Sequence, residues 1–235
     1  MSEVAKTIYD FELENRKGEK IPLKNYEGKV LIIVNTATGC GFTPHYKDLE
    51  SMYEKYHDKG LEIIDVPCNQ FRNQAPENDE QIHSFCQLKY KTQFDQFKKS
   101  DVNGPNQLPL FKFLKEKAPF KGFSGVKGFF FSGVMGIFGN KKEDENDVRW
   151  NFTKFIVNRK GEVVERFEPT TSMADVETYV KNLVENEKWD DENDVRWNFT
   201  KFIVNRKGEV VQRFEPTTSM SEVEEYVKNL VEKEN

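Results

Sequence analysis

From Asp144 onward the chain repeats itself. Asp144–Glu185 reappears as Asp191–Glu232 and differs only at Glu165/Gln212, Ala174/Ser221, Asp175/Glu222 and Thr178/Glu225. Near-identity of this kind is one unit copied once, not a stacked array of diverged repeats. Each copy reads as a strand (Asn151–Val157, then Asn198–Val204), an Arg-Lys-Gly turn, a second strand and an amphipathic helix, whose apolar face is Val176, Tyr179, Val180, Leu183 and Val184 or their equivalents. A single core has room for one such unit. Chain entropy hardly chooses between them, since the longer connection to the second copy costs only about 0.5 to 1 kcal/mol more. The first copy is expected to take the place, because it emerges earlier in synthesis and leaves the spare at a terminus.

Upstream, two continuous β-rich apolar runs, Val30–Val34 and Leu61–Val66, have the character of central strands covered on both faces. Between them Leu49, Met52, Tyr53 and Tyr56 fall at helical spacing, with Thr43 placed to cap, Pro44 suited to the first turn and Gly60 just past the end. Strand, helix, strand predicts a parallel unit and an α/β fold. Ile8–Glu14 and Ile21–Leu23, joined at Arg16–Glu19, predict a short hairpin. Further helices are predicted around Asp79–Leu88, with Ile82, Phe85 and Cys86 on one side, and over about Gln107–Lys117. Phe120–Asn140 is rich in Gly and Phe without a clean period, and reads as an irregular insertion packing its own aromatics; an apolar surface for lipid or a partner is the alternative.

The formal net charge of -5 is spread over intermixed Lys and Glu, which speaks against a nucleic-acid partner. The first residues lack the apolar run of a secretory signal and no stretch is long and apolar enough to span a bilayer, so a cytoplasmic protein is expected. Three histidines and three cysteines are scattered without tight ligand spacing, so neither a metal nor another cofactor is expected.

Three cysteines suit reduced thiols better than a disulfide framework. Cys40, in Asn35-Thr36-Ala37-Thr38-Gly39-Cys40-Gly41-Phe42-Thr43-Pro44, lies between a buried strand and a helix start, where free amides and the positive end of the helix dipole favour the reactive thiolate. Cys68 follows a strand with no evident partner and reads as packing; Cys86, on the apolar side of a helix, suits core and chemistry equally.

The Cys40 segment, Pro67-Cys68-Asn69-Gln70-Phe71 followed by Gln74, and Arg149-Trp150-Asn151-Phe152 resemble three ordered motifs of the glutathione peroxidases, and the similarity extends over about Ile8–Leu183. The resemblance implies a thioredoxin-like fold, with a central mixed sheet flanked by helices and, here, a duplicated C-terminal β-β-α segment. It implies that Cys40 attacks the peroxide and that Gln74, Trp150 and Asn151 are the donors beside it. Amide and indole N–H groups can steady a thiolate and the departing hydroxide without ionising. Cys86 falls where thioredoxin-dependent members carry the resolving cysteine, which implies a Cys40–Cys86 disulfide recycled by a thioredoxin-type dithiol rather than chiefly by glutathione, and a helix that unwinds to form it.

The expected organisation is a peroxidase domain over residues 1–185, with the insertion at 120–147, and a spare unit over 186–235. Trp197 and Asn198 match the third motif as well as Trp150 and Asn151 do, and are the alternative completion of the site. The spare unit leaves a monomer or a strand-exchanged oligomer open. Gly39 stands where Lys is common, His45 where Gln is common and Arg72 where Gly is usual; His45 reads as a helix-surface histidine. The competing functions are a peroxide sensor relaying oxidation through the same two cysteines, and a non-enzymatic thioredoxin-fold binding module.

Overall fold

A computed structural model describes residues 7–123, 144–186, 199–214 and 217–233. The chain divides into two compact units, Met1–Trp189 and Asp190–Asn235. Most of the Gly/Phe-rich insertion, and with it the reading of Phe120–Asn140 as irregular or lipid-facing, lies outside the described residues, as do Trp197 and Asn198.

In the first unit β1 (Glu12–Glu14) and β2 (Lys20–Pro22) form the antiparallel hairpin. Ile8–Asp10, expected as part of its first arm, is a 3-10 turn instead, because Thr7 and Asp10 cap each other across it. The main sheet contains β3 (Val30–Thr36), β4 (Leu61–Pro67), β5 (Asp95–Gln96), β6 (Lys154–Val157) and β7 (Val163–Phe167), in the spatial order β5-β4-β3-β6-β7. β3 and β4 are parallel over their whole length and buried at every position, as their unbroken apolar runs require; β6 and β7 join antiparallel, which makes the sheet mixed. Each Val, Leu or Ile so buried is worth roughly 1.5–3 kcal/mol against exposure.

Helix α1 (His45–Tyr56) links β3 to β4 and buries Tyr46, Leu49, Met52 and Tyr56. α2 (Asp79–Tyr90) is closed at its start by an Asn78–Gln81 capping box; α3 (Pro109–Lys117) and α4 (Met173–Asn186) complete the unit. Gly60 ends the chain's turn into β4 at φ 96°, a conformation that strains any side chain, and a Cβ there would sit 2.5 Å from Arg159 Nη1 and displace that guanidinium. Thr43 does not cap α1. Its hydroxyl is committed one turn earlier, accepting the Cys40 N–H at 3.0 Å and donating to the Ala37 carbonyl at 2.9 Å.

β6 begins three residues later than its apolar pattern suggests, because Phe152 adopts φ 68° and breaks the extended run just after Asn151. The second unit holds β8 (Lys201–Val204) and β9 (Val210–Phe214), paired antiparallel as a two-stranded sheet, followed by α5 (Met220–Lys233). Among the described residues no helix is long and apolar enough to cross a membrane.

Candidate active site

The site forms where β3 runs out. Cys40 lies in the turn between β3 and α1 and is 6% exposed. The backbone N–H of Phe42 donates to its Sγ at 3.4 Å, and the side chains of Trp150 and Asn151 also donate to it. Asn151 Nδ2 reaches Gln74 Oε1 at 3.1 Å. Cys40, Gln74, Trp150 and Asn151, widely separated in sequence, are thus brought together.

Each of these side chains has its own support. Asn35, near the end of β3, donates through Nδ2 to the Trp150 carbonyl at 3.2 Å and to Asn151 Oδ1 at 3.5 Å, while its carbonyl accepts the Phe152 N–H at 2.6 Å. The Thr153 hydroxyl donates to the same Trp150 carbonyl at 3.1 Å. Gln74 is tied to the thiol turn through its backbone carbonyl, which accepts the Gly39 N–H at 2.8 Å. The loop before Gln74 turns through Arg72 (φ 57°) and Asn73 (φ 54°). Arg72 therefore occupies a left-handed conformation that a glycine takes without strain, which accounts for glycine being usual there and leaves the arginine itself without a structural explanation.

Burial pushes the Cys40 pKa up, and the donors at Phe42, Trp150 and Asn151 only partly offset it. Desolvation thus opposes the stabilisation expected from position, and the N–H donors act most strongly when negative charge develops at sulfur.

Cys86 belongs to a different neighbourhood. It is buried on α2, where Gln96 Nε2 approaches its Sγ at 3.5 Å, and burial with the nearby Asp65 carboxylate pushes its pKa up to about 12. Asp65 on β4 is itself fully buried, accepting from Thr36, Tyr46 and Gln96, and burial pushes it up to about 6. All three cysteines are free thiols. Cys68 is fully buried and pushed to about 12, as a packing thiol would be.

Sequence reasoning missed three contributors. Asn35 was legible as a polar residue closing an apolar strand, and Asp65 as the one acid among the apolar residues at the end of β4. Lys154 gave no signal, since a lysine in a strand ordinarily faces water. It is fully buried, with Nζ 2.8 Å from the Phe152 carbonyl and 3.2 Å from His45 Nδ1. His45 is accordingly half-buried between the rings of Phe42 and Phe152 rather than a plain helix-surface residue.

The glutathione peroxidase family model matches residues 8–115. A glutathione peroxidase homolog of Neisseria meningitidis is 47% identical over 178 residues, covering 75% of this chain and 99% of the relative. The chain belongs to the glutathione peroxidase family. A glutathione peroxidase-like peroxiredoxin 2 of Saccharomyces cerevisiae is 41% identical over 179 residues, 76% of this chain and 97% of that protein. The crystal structure of T. cruzi GPX1 superposes with a TM-score of 0.55 at 31% identity, covering 76% of this chain and 97% of that one. This glutathione peroxidase family member is a peroxidase with a thioredoxin-like fold, as the three motifs implied. Its relatives match about three-quarters of the chain.

Proposed function

We propose that this enzyme reduces hydrogen peroxide or organic hydroperoxides with Cys40 as the attacking sulfur and Cys86 as the resolving thiol. The observation that carries the reading is the convergence of three N–H donors, from Phe42, Trp150 and Asn151, on one cysteine sulfur, with Asn151 braced on Gln74. In the first step the Cys40 sulfur takes one peroxide oxygen as the O–O bond breaks. The thiol proton leaves with the other oxygen, giving a sulfenic acid and water or an alcohol. The donors stabilise the charge that grows on sulfur and on the leaving oxygen.

In the second step the Cys86 thiol condenses with the sulfenic acid, releasing water and forming the Cys40–Cys86 disulfide; a thioredoxin-type dithiol then reduces it by exchange. The burial of Cys86 against Gln96 and Asp65 supports a resolving step gated by local opening of α2. Free thiols suit a reducing compartment such as the cytoplasm. Trp150 and Asn151 serve the site, and residues 186–235 are a spare unit.

The test is peroxide consumption driven by a thioredoxin system. Turnover is expected to vanish in Cys40→Ser and in Cys86→Ser, while Cys86→Ser still shows one rapid oxidation of Cys40. Full turnover in Cys86→Ser would remove the resolving role, and turnover in Cys40→Ser would remove the proposal.

A further inference from the structure

Two segments have to meet for the donors to face the sulfur: the turn that carries Cys40 and Phe42, and the turn Trp150-Asn151-Phe152. The donor turn is bonded to Asn35 of β3, while the thiol turn is bonded within itself and to the Gln74 carbonyl. Beside the Trp150 and Asn151 donors to the Cys40 sulfur and the Tyr46–Phe152 ring contact, a further side-chain link between them is Lys154 with His45. Lys154 Nζ donates to the Phe152 carbonyl at 2.8 Å and to His45 Nδ1 at 3.2 Å, and it does so from a fully buried position opposite Val34 of β3. The His45 ring lies 5.4 Å from the Phe42 ring and 5.8 Å, edge on, from the Phe152 ring. One face of the pair therefore touches the thiol turn and the other the donor turn.

We infer that Lys154 and His45 form a positioning pair that sets the register of Trp150 and Asn151 against the Cys40 sulfur. The inference rests on the reading of Cys40 as the attacking thiol. Burial and the neighbouring Lys154 push His45 down to about 3, so its ring is neutral, and the tautomer with its proton on Nε2 is the one that lets Nδ1 accept from lysine.

The repeat separates what is local from what is added. In the second copy Phe199 has φ 69°, against 68° at Phe152, and Lys201 Nζ reaches the Phe199 carbonyl at 3.1 Å. The lysine-to-carbonyl contact and the left-handed phenylalanine are thus properties of the Asn-Phe-Thr-Lys sequence itself. What the first copy gains on burial is the imidazole acceptor, and with it a link to α1 and the thiol turn. A bulky residue in the left-handed region is strained, so a lysine holding its carbonyl is a means of keeping that turn in one state.

Stopped-flow oxidation of the full chain by hydrogen peroxide tests this, comparing His45→Leu, His45→Gln and Lys154→Met with the unaltered protein and with Cys40→Ser. Leucine keeps the packing between Phe42 and Phe152 but removes the acceptor; glutamine restores one. Since misplacement of about 1 Å can cost up to about a hundredfold in rate, His45→Leu and Lys154→Met should each lower the second-order rate about tenfold or more. His45→Gln should recover to within about threefold. Turnover under saturating peroxide, limited by the resolving step, should move less than the oxidation rate. Oxidation of His45→Leu at the unaltered rate, or a His45→Gln rate as low as that of His45→Leu, would overturn the pairing even if Lys154→Met failed to fold. Absence of any Cys40-dependent oxidation in the unaltered protein would instead overturn the reading of Cys40, and this inference with it.

Discussion

The two copies of the repeat form a controlled experiment on what a sequence carries by itself. Their local geometry is the same. Phe152 and Phe199 share a left-handed turn; Asn158 and Asn205 close the same tight loop onto Glu162 and Glu209; β6–β7 and β8–β9 slip register at the same residue pair; and the Phe167–Tyr179 and Phe214–Tyr226 rings both meet at 5.5 Å and 79°. Their burial differs most at the first strand. β6 is buried at every position, whereas Lys201–Val204 is partly or fully exposed throughout. Backbone turns and neighbouring ring contacts are therefore encoded locally, while the full burial of Lys154 comes with the pairing of β6 onto β3. Every prediction below substitutes the same residue in both copies.

The largest contrast is in the core. Phe155 is fully buried and packs edge-on against Phe111 at 6.1 Å, while Phe202 is 43% exposed. Phe155→Ala should destabilise the first unit by about 3–5 kcal/mol. Phe202→Ala should cost less than about 1 kcal/mol, a surface-like effect. Denaturant unfolding of each variant measures both, and equal losses would mean that the second unit packs its strands as tightly as the first.

Next is the chemistry. Asn151→Ala removes a donor to the thiol and should slow Cys40 oxidation by about 10²–10³-fold, the range for losing one donor to a developing anion. Asn198→Ala should leave the rate unchanged, as should Trp197→Phe. A loss of rate at the second copy in place of the first would show that the chain completes its site with Trp197 and Asn198, and would reverse the comparison.

The same contrast marks how far the sequence could be read. The strands β3 and β4, the intervening helix and the fold class were legible because unbroken apolar runs and helical spacing have few physical solutions. The cluster of Cys40, Gln74, Trp150 and Asn151 was legible only as a joint motif, since each residue alone has an ordinary structural use. Lys154 and His45 were not legible. Their roles depend on which copy docks, and Lys201, with an identical sequence around it, is not fully buried. Thr43 was misread because its hydroxyl serves the cysteine turn instead of the helix end.

A third test uses pH. Burial pushes Lys154 from 10.5 down to about 7, so the folded protein releases this proton near pH 7 while the unfolded chain keeps it until about 10.5. Between those values the unfolded state binds more protons, and stability rises with pH by up to about 1.4 kcal/mol per unit from this group. Below about pH 7 both states hold the proton and the burial penalty is constant. Lys154→Met should flatten the slope of unfolding free energy between pH 7 and 10, and Lys201→Met should leave it in place. A slope that survives Lys154→Met would mean that another group carries it.

The smallest effect separates backbone strain from crowding. Gly161 (φ 78°) and Gly208 (φ 83°) occupy the same turn, and an alanine at either must enter the left-handed region at a cost of about 1–2 kcal/mol. At Gly208 a Cβ would meet nothing within 4 Å, whereas at Gly161 it would lie 2.6 Å from the Tyr9 ring, whose hydroxyl donates to the Arg159 carbonyl at 2.8 Å. Gly161→Ala should therefore cost roughly 1–3 kcal/mol more than Gly208→Ala, the surplus being the displaced tyrosine. Amide exchange at Asn158 and Asn205, each bonded across its turn at 2.9 Å, reads the two sites independently. Equal acceleration at both amides would mean that the tyrosine moves aside freely, so that the turn's own conformation, shared by the two copies, is all that the glycine protects.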